Sequence, residues 1–183
     1  DAGEHRGNLL ELKFGGIRQI GYVVNDIEQA MAQWSRHLGV GPWFYKADVG
    51  TTEFRYYGKP SAIPILSIAL ANSGELQIEL IQQRNDAPSL YLDSLRRSGE
   101  GAQHIAYWTE HRFDEHVQAL LASGYVEGHA GRMGTSGRFG YFIHPDLPSA
   151  IIEVSEMTGG KGEYFSYVKR KADAWDGNEP IRR

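Results

Sequence analysis

None of the 183 residues is cysteine. That excludes disulfides, thiolate metal sites and cysteine nucleophiles, and it leaves the redox compartment open. No apolar run approaches the length of a membrane span. "NLLELKF", near the start, is too short for the core of a signal peptide. Positive charge is in deficit: the formal net charge is −4, which argues against the basic face that nucleic acid or an anionic membrane requires. The expected partner is a small molecule, with no nucleic acid and no membrane, and the default location is cytoplasmic. Asp1 rather than methionine opens the chain, so a trimmed chain is expected. The length suits one domain, or two small lobes sharing a core.

What is present is a repeat. The apolar stretch "IRQIGYVVND" carries an amide at Gln19, and 85 positions later "AQHIAYWTEH" places His104 in the same slot. At that offset Ile20 falls on Ile105, Gly21 on Ala106 and Tyr22 on Tyr107. Helical stretches follow. Ile27, Ala30, Met31 and Trp34 share one face in the first, and Phe113, Val117, Leu120 and Leu121 in the second. Gly39 and Gly124 keep the offset and stop each helix.

Each half then closes with strands: "TTEFRYYG", "PILSIALA" and "ELQIELIQQ" in the first, "GRFGYFIHPD" and "SAIIEVSEM" in the second. "GHAGRMGTSG" reads as a flexible lid or long hairpin turn, because it lacks the strand, Lys-Ser/Thr pair and helix of a phosphate loop. The unit is βαβββ, present twice. The expected fold is α+β: two tandem βαβββ modules forming a curved mixed sheet around a metal-binding cavity, plus a C-terminal helix. The divisions are an N-terminal arm (1–13), a first module (14–88), a second module (89–157) and a helical tail (158–183). In the tail, Tyr164, Val168, Ala172 and Trp175 recur at helical spacing before Asp176-Gly177 and Pro180. Such a helix packs on the sheet, covers the cavity or crosses to a partner subunit.

The closing strands "LQIELIQ" and "AIIEVSE" each bury a carboxylate, Glu79 and Glu153. Alternation puts Glu79 on a face with Gln77 and Ile81, and Glu153 on one with Ile151 and Ser155. The opposite faces are apolar and suit helix packing; Tyr22 and Tyr107 also fall there. A lone buried carboxylate is costly, and a cation removes that cost. Taken singly, Gln19 or His104 reads as a satisfied core residue. Their paired placement with Glu79 and Glu153 points instead to one divalent metal per subunit: Zn, Co, Ni, Mn or Fe, with positions left open for water or substrate. Phe44, Tyr57, Trp108, Phe142 and His144 are the candidates for contact with an apolar or aromatic substrate. His111 and His116 are five apart rather than four, so they do not form a helical zinc pair and are expected to be exposed. His37 is expected at the surface.

The duplicated Gln/His-Ile-Gly/Ala-Tyr strand, the "HLGVGPWF" helix exit and the closing "IEL" and "IEV" strands resemble the vicinal oxygen chelate superfamily, and its epimerase-type branch in particular. That superfamily includes glyoxalase I, methylmalonyl-CoA epimerase, extradiol dioxygenases and drug-binding resistance proteins. The resemblance spans roughly residues 14–157, and it implies a metal held by Gln19, Glu79, His104 and Glu153. Epimerase-type members usually open with His where this chain has Gln19, and a Gln-Glu-His-Glu set is more similar to eukaryotic glyoxalase I. The Glu-Gln-Gly stretch that often supplies an epimerase's second base is missing, and Glu53 is a poor substitute. An extradiol dioxygenase would want two histidines.

Three functions follow. The first is a metal-dependent isomerase, epimerase or lyase in which Glu153 or Glu79 takes a proton next to a metal-polarised carbonyl. The resemblance favours Glu153 as the first base. The second is glyoxalase I, acting on a glutathione hemithioacetal. The third is a non-enzymatic protein that sequesters a hydrophobic or aromatic compound. A homodimer is the expected assembly.

Overall fold

A computed structural model describes residues 12–183, so most of the expected N-terminal arm lies outside the described residues. The first segment runs β1 (Gln19–Val23), α1 (Ile27–Leu38), β2 (Trp43–Lys46), β3 (Thr51–Tyr56), β4 (Lys59–Pro60), β5 (Leu66–Ser73) and β6 (Leu76–Gln83). After α2 (Leu90–Ser98) come β7 (Gly101–Thr109), α3 (Phe113–Ala122), β8 (Val126–Met133), β9 (Arg138–Ile143) and β10 (Ile151–Glu156). The chain closes with α4 (Lys161–Asp173) and β11 (Ile181–Arg182). Among the described residues no helix is long and apolar enough to cross a membrane.

The strands form one curved mixed sheet in the order β11-β2-β5-β6-β1-β7-β10-β9-β8-β3-β4. At its centre β1 and β7 run antiparallel, with Gly21 opposite His104. Each is flanked by a parallel partner: β6 beside β1 with Gly21 opposite Glu79, and β10 beside β7 with Glu153 opposite Ala106. The two halves are therefore related by an approximate twofold axis between β1 and β7.

Local chemistry sets the helices. Asp26 caps α1 by accepting from the Gln29 amide at 3.0 Å, and Gly39 ends it in the left-handed region at φ 65°. The outward sheet residues pack under the helices, as alternation predicts. Ile78 and Leu80 meet Ile27 and Met31 of α1, while Ile152 and Val154 meet Leu120 of α3. The face of α3 is Phe113, His116, Val117 and Leu120. His116 is buried, against the expectation of exposure, with its ring edge-on to Phe14 at 5.1 Å, whereas Leu121 is exposed.

Three features differ from the expected layout. The "TTEFRYYG" strand, β3, does not stay with its own module but pairs antiparallel with β8 of the other. The place beside β5 is taken by β2 from the helix exit. The Gly-rich stretch expected as a lid or turn is mostly strand, because its glycines admit close neighbours: a Cβ on Gly128 would stand 2.5 Å from a Leu90 methyl. The second module, bounded at 89–157, opens with α2, capped by Ser89 Oγ accepting from the Leu92 amide at 3.1 Å.

Candidate functional site

Four adjacent strands at the sheet centre each bring a polar side chain to one point. In sheet order these are Glu79 (β6), Gln19 (β1), His104 (β7) and Glu153 (β10). All four are buried, with no more than 8 % of any residue exposed. His104 Nε2 lies 3.1 Å from Gln19 Oε1, 3.4 Å from Glu79 Oε1 and 3.1 Å from Glu153 Oε2. The Tyr141 hydroxyl stands 3.4 Å from the same nitrogen. Room for the imidazole comes from Gly21, where a Cβ would fall 2.0 Å from His104 Cε1.

The orientation of each group is fixed from behind. Gln19 Nε2 donates to Gln77 Oε1 at 2.7 Å, which turns the Gln19 oxygen towards His104. His104 Nδ1 sits 2.6 Å from Gln103 Oε1, an acceptor, so Nδ1 carries the proton. The Nε2 lone pair then faces a ring of oxygens. That arrangement is repulsive unless a cation stands among them. In the metal-free protein the cation is a proton. Burial opposes the imidazolium, but Glu153 and Glu79 outweigh it and push the His104 pKa up to about 9. Burial also raises the Glu79 carboxyl. It holds Tyr141 and Tyr91 well above the usual phenol range, with the two carboxylates adding to the effect, so both hydroxyls remain donors.

The donor set fits a divalent metal. Ligands bonded to one cation at about 2.1 Å stand roughly 3.0–3.4 Å apart, which is the spacing of His104 Nε2 from the three oxygens. Glu79, His104 and Glu153 present ligand atoms within 4.8 Å of one another. Glu153 Oε2 is buried, and its one close polar neighbour is His104 Nε2 at 3.1 Å, out of line for a good hydrogen bond, so a cation would satisfy it better. Gln103 on the far nitrogen supplies the outer hydrogen bond typical of a metal-bound histidine.

Above these residues lies a cavity of about 250 Å³ lined by Gln19, Glu79 and Glu153. Its apolar wall includes Phe44, Leu70, Phe139 and Phe165, and its polar wall Tyr91, Tyr141, Ser155 and Lys161. Of the expected substrate contacts, Phe44 lines this cavity and four others lie outside it. Tyr57 sits in the β3–β4 turn, 46 % exposed, against Tyr56. Trp108 shares the inward face of β7, but Phe165 covers it with ring centroids 4.8 Å apart. Phe142 is fully buried on the outer face beneath α3. The His144 ring is spent on the Ser123 carbonyl at 2.9 Å and on Tyr125. Tyr141, its neighbour Tyr91 (hydroxyls 2.9 Å apart) and Lys161 were not singled out by the sequence. Pairing Tyr141 opposite Glu153 is the signal that finds the first of them.

Residues 18–142 match the family model of the glyoxalase/bleomycin resistance protein/dioxygenase superfamily. A search of curated proteins finds no match. Among solved structures, a hypothetical protein of Bacillus halodurans C-125 aligns with TM-score 0.55 at 18 % identity, covering 79 % of this chain and 95 % of its own. Methylmalonyl-CoA epimerase of Mycobacterium tuberculosis aligns with TM-score 0.55 at 19 % identity, covering 81 % and 91 %. A variant of the Streptomyces coelicolor epimerase in complex with 2-nitronate-propionyl-CoA aligns with TM-score 0.52 at 15 % identity, covering 77 % and 93 %. At these identities the likeness is one of fold.

Proposed function

Because the chain belongs to the glyoxalase/bleomycin resistance protein/dioxygenase superfamily, we propose that it is a metal-dependent isomerase, epimerase or lyase that moves a proton next to a carbonyl of a chelated small molecule. Gln19, Glu79, His104 and Glu153 would hold one divalent cation. When bound, such a cation polarises a carbonyl and so acidifies the adjacent C–H. The observation that carries the reading is the placement of two carboxylates from different modules on either side of His104. Each is positioned to accept or return a proton on its own side of a substrate lying over the cavity floor. The Tyr141 hydroxyl, held by Tyr91, donates towards the same floor. The aromatic wall keeps water from a reactive carbanion. That several solved relatives are methylmalonyl-CoA epimerases supports an epimerase or isomerase over other superfamily activities.

A second reading, glyoxalase I, is favoured by one observation: the amide oxygen of Gln19 is aimed at the His104 nitrogen. The two are separated by incubating metal-loaded protein with thioesters, hemithioacetals and aromatic ketones in D₂O. Deuterium entering next to a thioester or ketone carbonyl supports the first reading, and isomerisation of the glutathione hemithioacetal supports the second. Protein that takes up no metal, yet binds an aromatic ketone unchanged, would instead be a sequestering protein.

A further inference from the structure

Lys161 opens α4, beyond the segment matched by the family model. It is half-buried in the cavity wall, where its Nζ donates to Ser155 Oγ. Ser155 is itself only 2 % exposed and lines the same cavity. A second ammonium, Lys46, borders the cavity but is exposed to solvent, lying over the Tyr164 ring 4.6 Å from its centroid. Among the described residues neither lysine makes an ion pair.

The charges of the wall are these two ammoniums and the carboxylates of Glu79 and Glu153. With the two carboxylates balancing a divalent cation, no carboxylate of the cavity wall is left to balance Lys161, and Glu156, the other acid near it, is engaged by Arg138. A lysine usually carries its head group out to water. One drawn into a cavity without an anion is costly to keep there, and an arriving anion removes the cost. The Ser155 hydroxyl accepts from Lys161, so its own hydrogen is free to donate into the cavity. An ammonium and a hydroxyl side by side match the two oxygens of a carboxylate.

We propose that Lys161 and Ser155, with Lys46 beside them, hold a carboxylate of the substrate distinct from its chelating oxygens. The substrate is then a small carbonyl compound bearing an additional acid group. This inference rests on the metal-site reading for its charge balance, and its test separates the two. Cobalt-loaded protein is titrated with butyrohydroxamic acid and with succinic monohydroxamic acid, which share a chelating group and carbon number but differ in the terminal carboxylate. The wild type should bind the carboxylate-bearing probe about tenfold more tightly. Lys161→Met should lose that preference while keeping its cobalt and its affinity for butyrohydroxamic acid, and Lys161→Arg should retain part of it. No preference in the wild type, or a preference undiminished in Lys161→Met, overturns the proposal. Should the protein take up no cobalt, the metal-site reading fails. That outcome overturns this proposal as well, because Glu79 and Glu153 then balance the two ammoniums, whereas cobalt uptake without a preference for the carboxylate-bearing probe overturns this proposal alone.

Discussion

His104 illustrates how single residues set the chemistry. Gln103 fixes its tautomer, Gly21 gives its ring space, and three ligand oxygens surround its free nitrogen. His104→Ala should remove most metal affinity, because it deletes the one imidazole of the set. Full occupancy in that variant, measured by elemental analysis, would show that His104 is not a ligand. Gly21→Ala should act at one remove. The strands β1 and β7 are hydrogen-bonded and cannot part, so the imidazole must swing away from a Cβ 2.0 Å from Cε1. Overpacking of this kind costs about 1–3 kcal/mol, readable by urea unfolding, and metal affinity should fall with it.

Protonation gives a further readout in the metal-free protein. The folded pKa of His104, about 9, lies above the ordinary 6.5, so the imidazolium contributes stability in full below about pH 6.5 and loses it as pH rises through about 9. The thermal midpoint of metal-free protein should fall across that window, and the fall should be smaller in His104→Gln. His129 has the opposite sign. Burial pushes it well below the usual value, and its Nδ1 accepts the Leu90 amide at 3.0 Å. Its neutral form is the folded one, so it weakens the protein on the acid side.

Among the elements, those whose information is local were legible in the sequence. The duplication places Gln19 and His104 at the same strand position, and alternation along β6 and β10 turns Glu79 and Glu153 inward; the structure brings all four together. What depends on pairing was not legible. Tyr141 and Phe142 are adjacent aromatics in β9, and only the register with β10, Tyr141 opposite Glu153, tells which one faces the cavity. Likewise β3 has the pattern of a strand, but nothing local says that its partner is β8. The spacing of α4 reveals Val168 as buried, yet Phe165, the residue that meets Trp108 and the cavity, depends on where the helix docks. Phe165→Ala should cost about 3 kcal/mol in urea unfolding and should weaken ligand binding without lowering metal content. Unchanged stability would mean that α4 does not cover the cavity in solution.

For the molecule as a whole, the approximate twofold relation between modules makes a prediction that no single residue does. Glu79 and Glu153 occupy equivalent places on β6 and β10 and flank His104 from opposite sides. A reaction that moves a proton between two faces needs both carboxylates, whereas one that only removes and replaces it on the same face needs one. An amide is nearly isosteric and still offers an oxygen, but it cannot accept a proton at neutral pH. Glu79→Gln and Glu153→Gln should therefore keep the fold and much of the metal, and each should lose on the order of 10²–10⁴ in turnover. Solvent deuterium should still enter the substrate in one of the two, the variant that retains the base of the first step. Impairment of both with exchange surviving in one identifies a two-base epimerase or isomerase. Impairment of one alone identifies a single-base reaction. Wild-type turnover by Glu153→Gln would exclude it as the base and leave Glu79, together with the Tyr141 hydroxyl, as the groups that handle the proton.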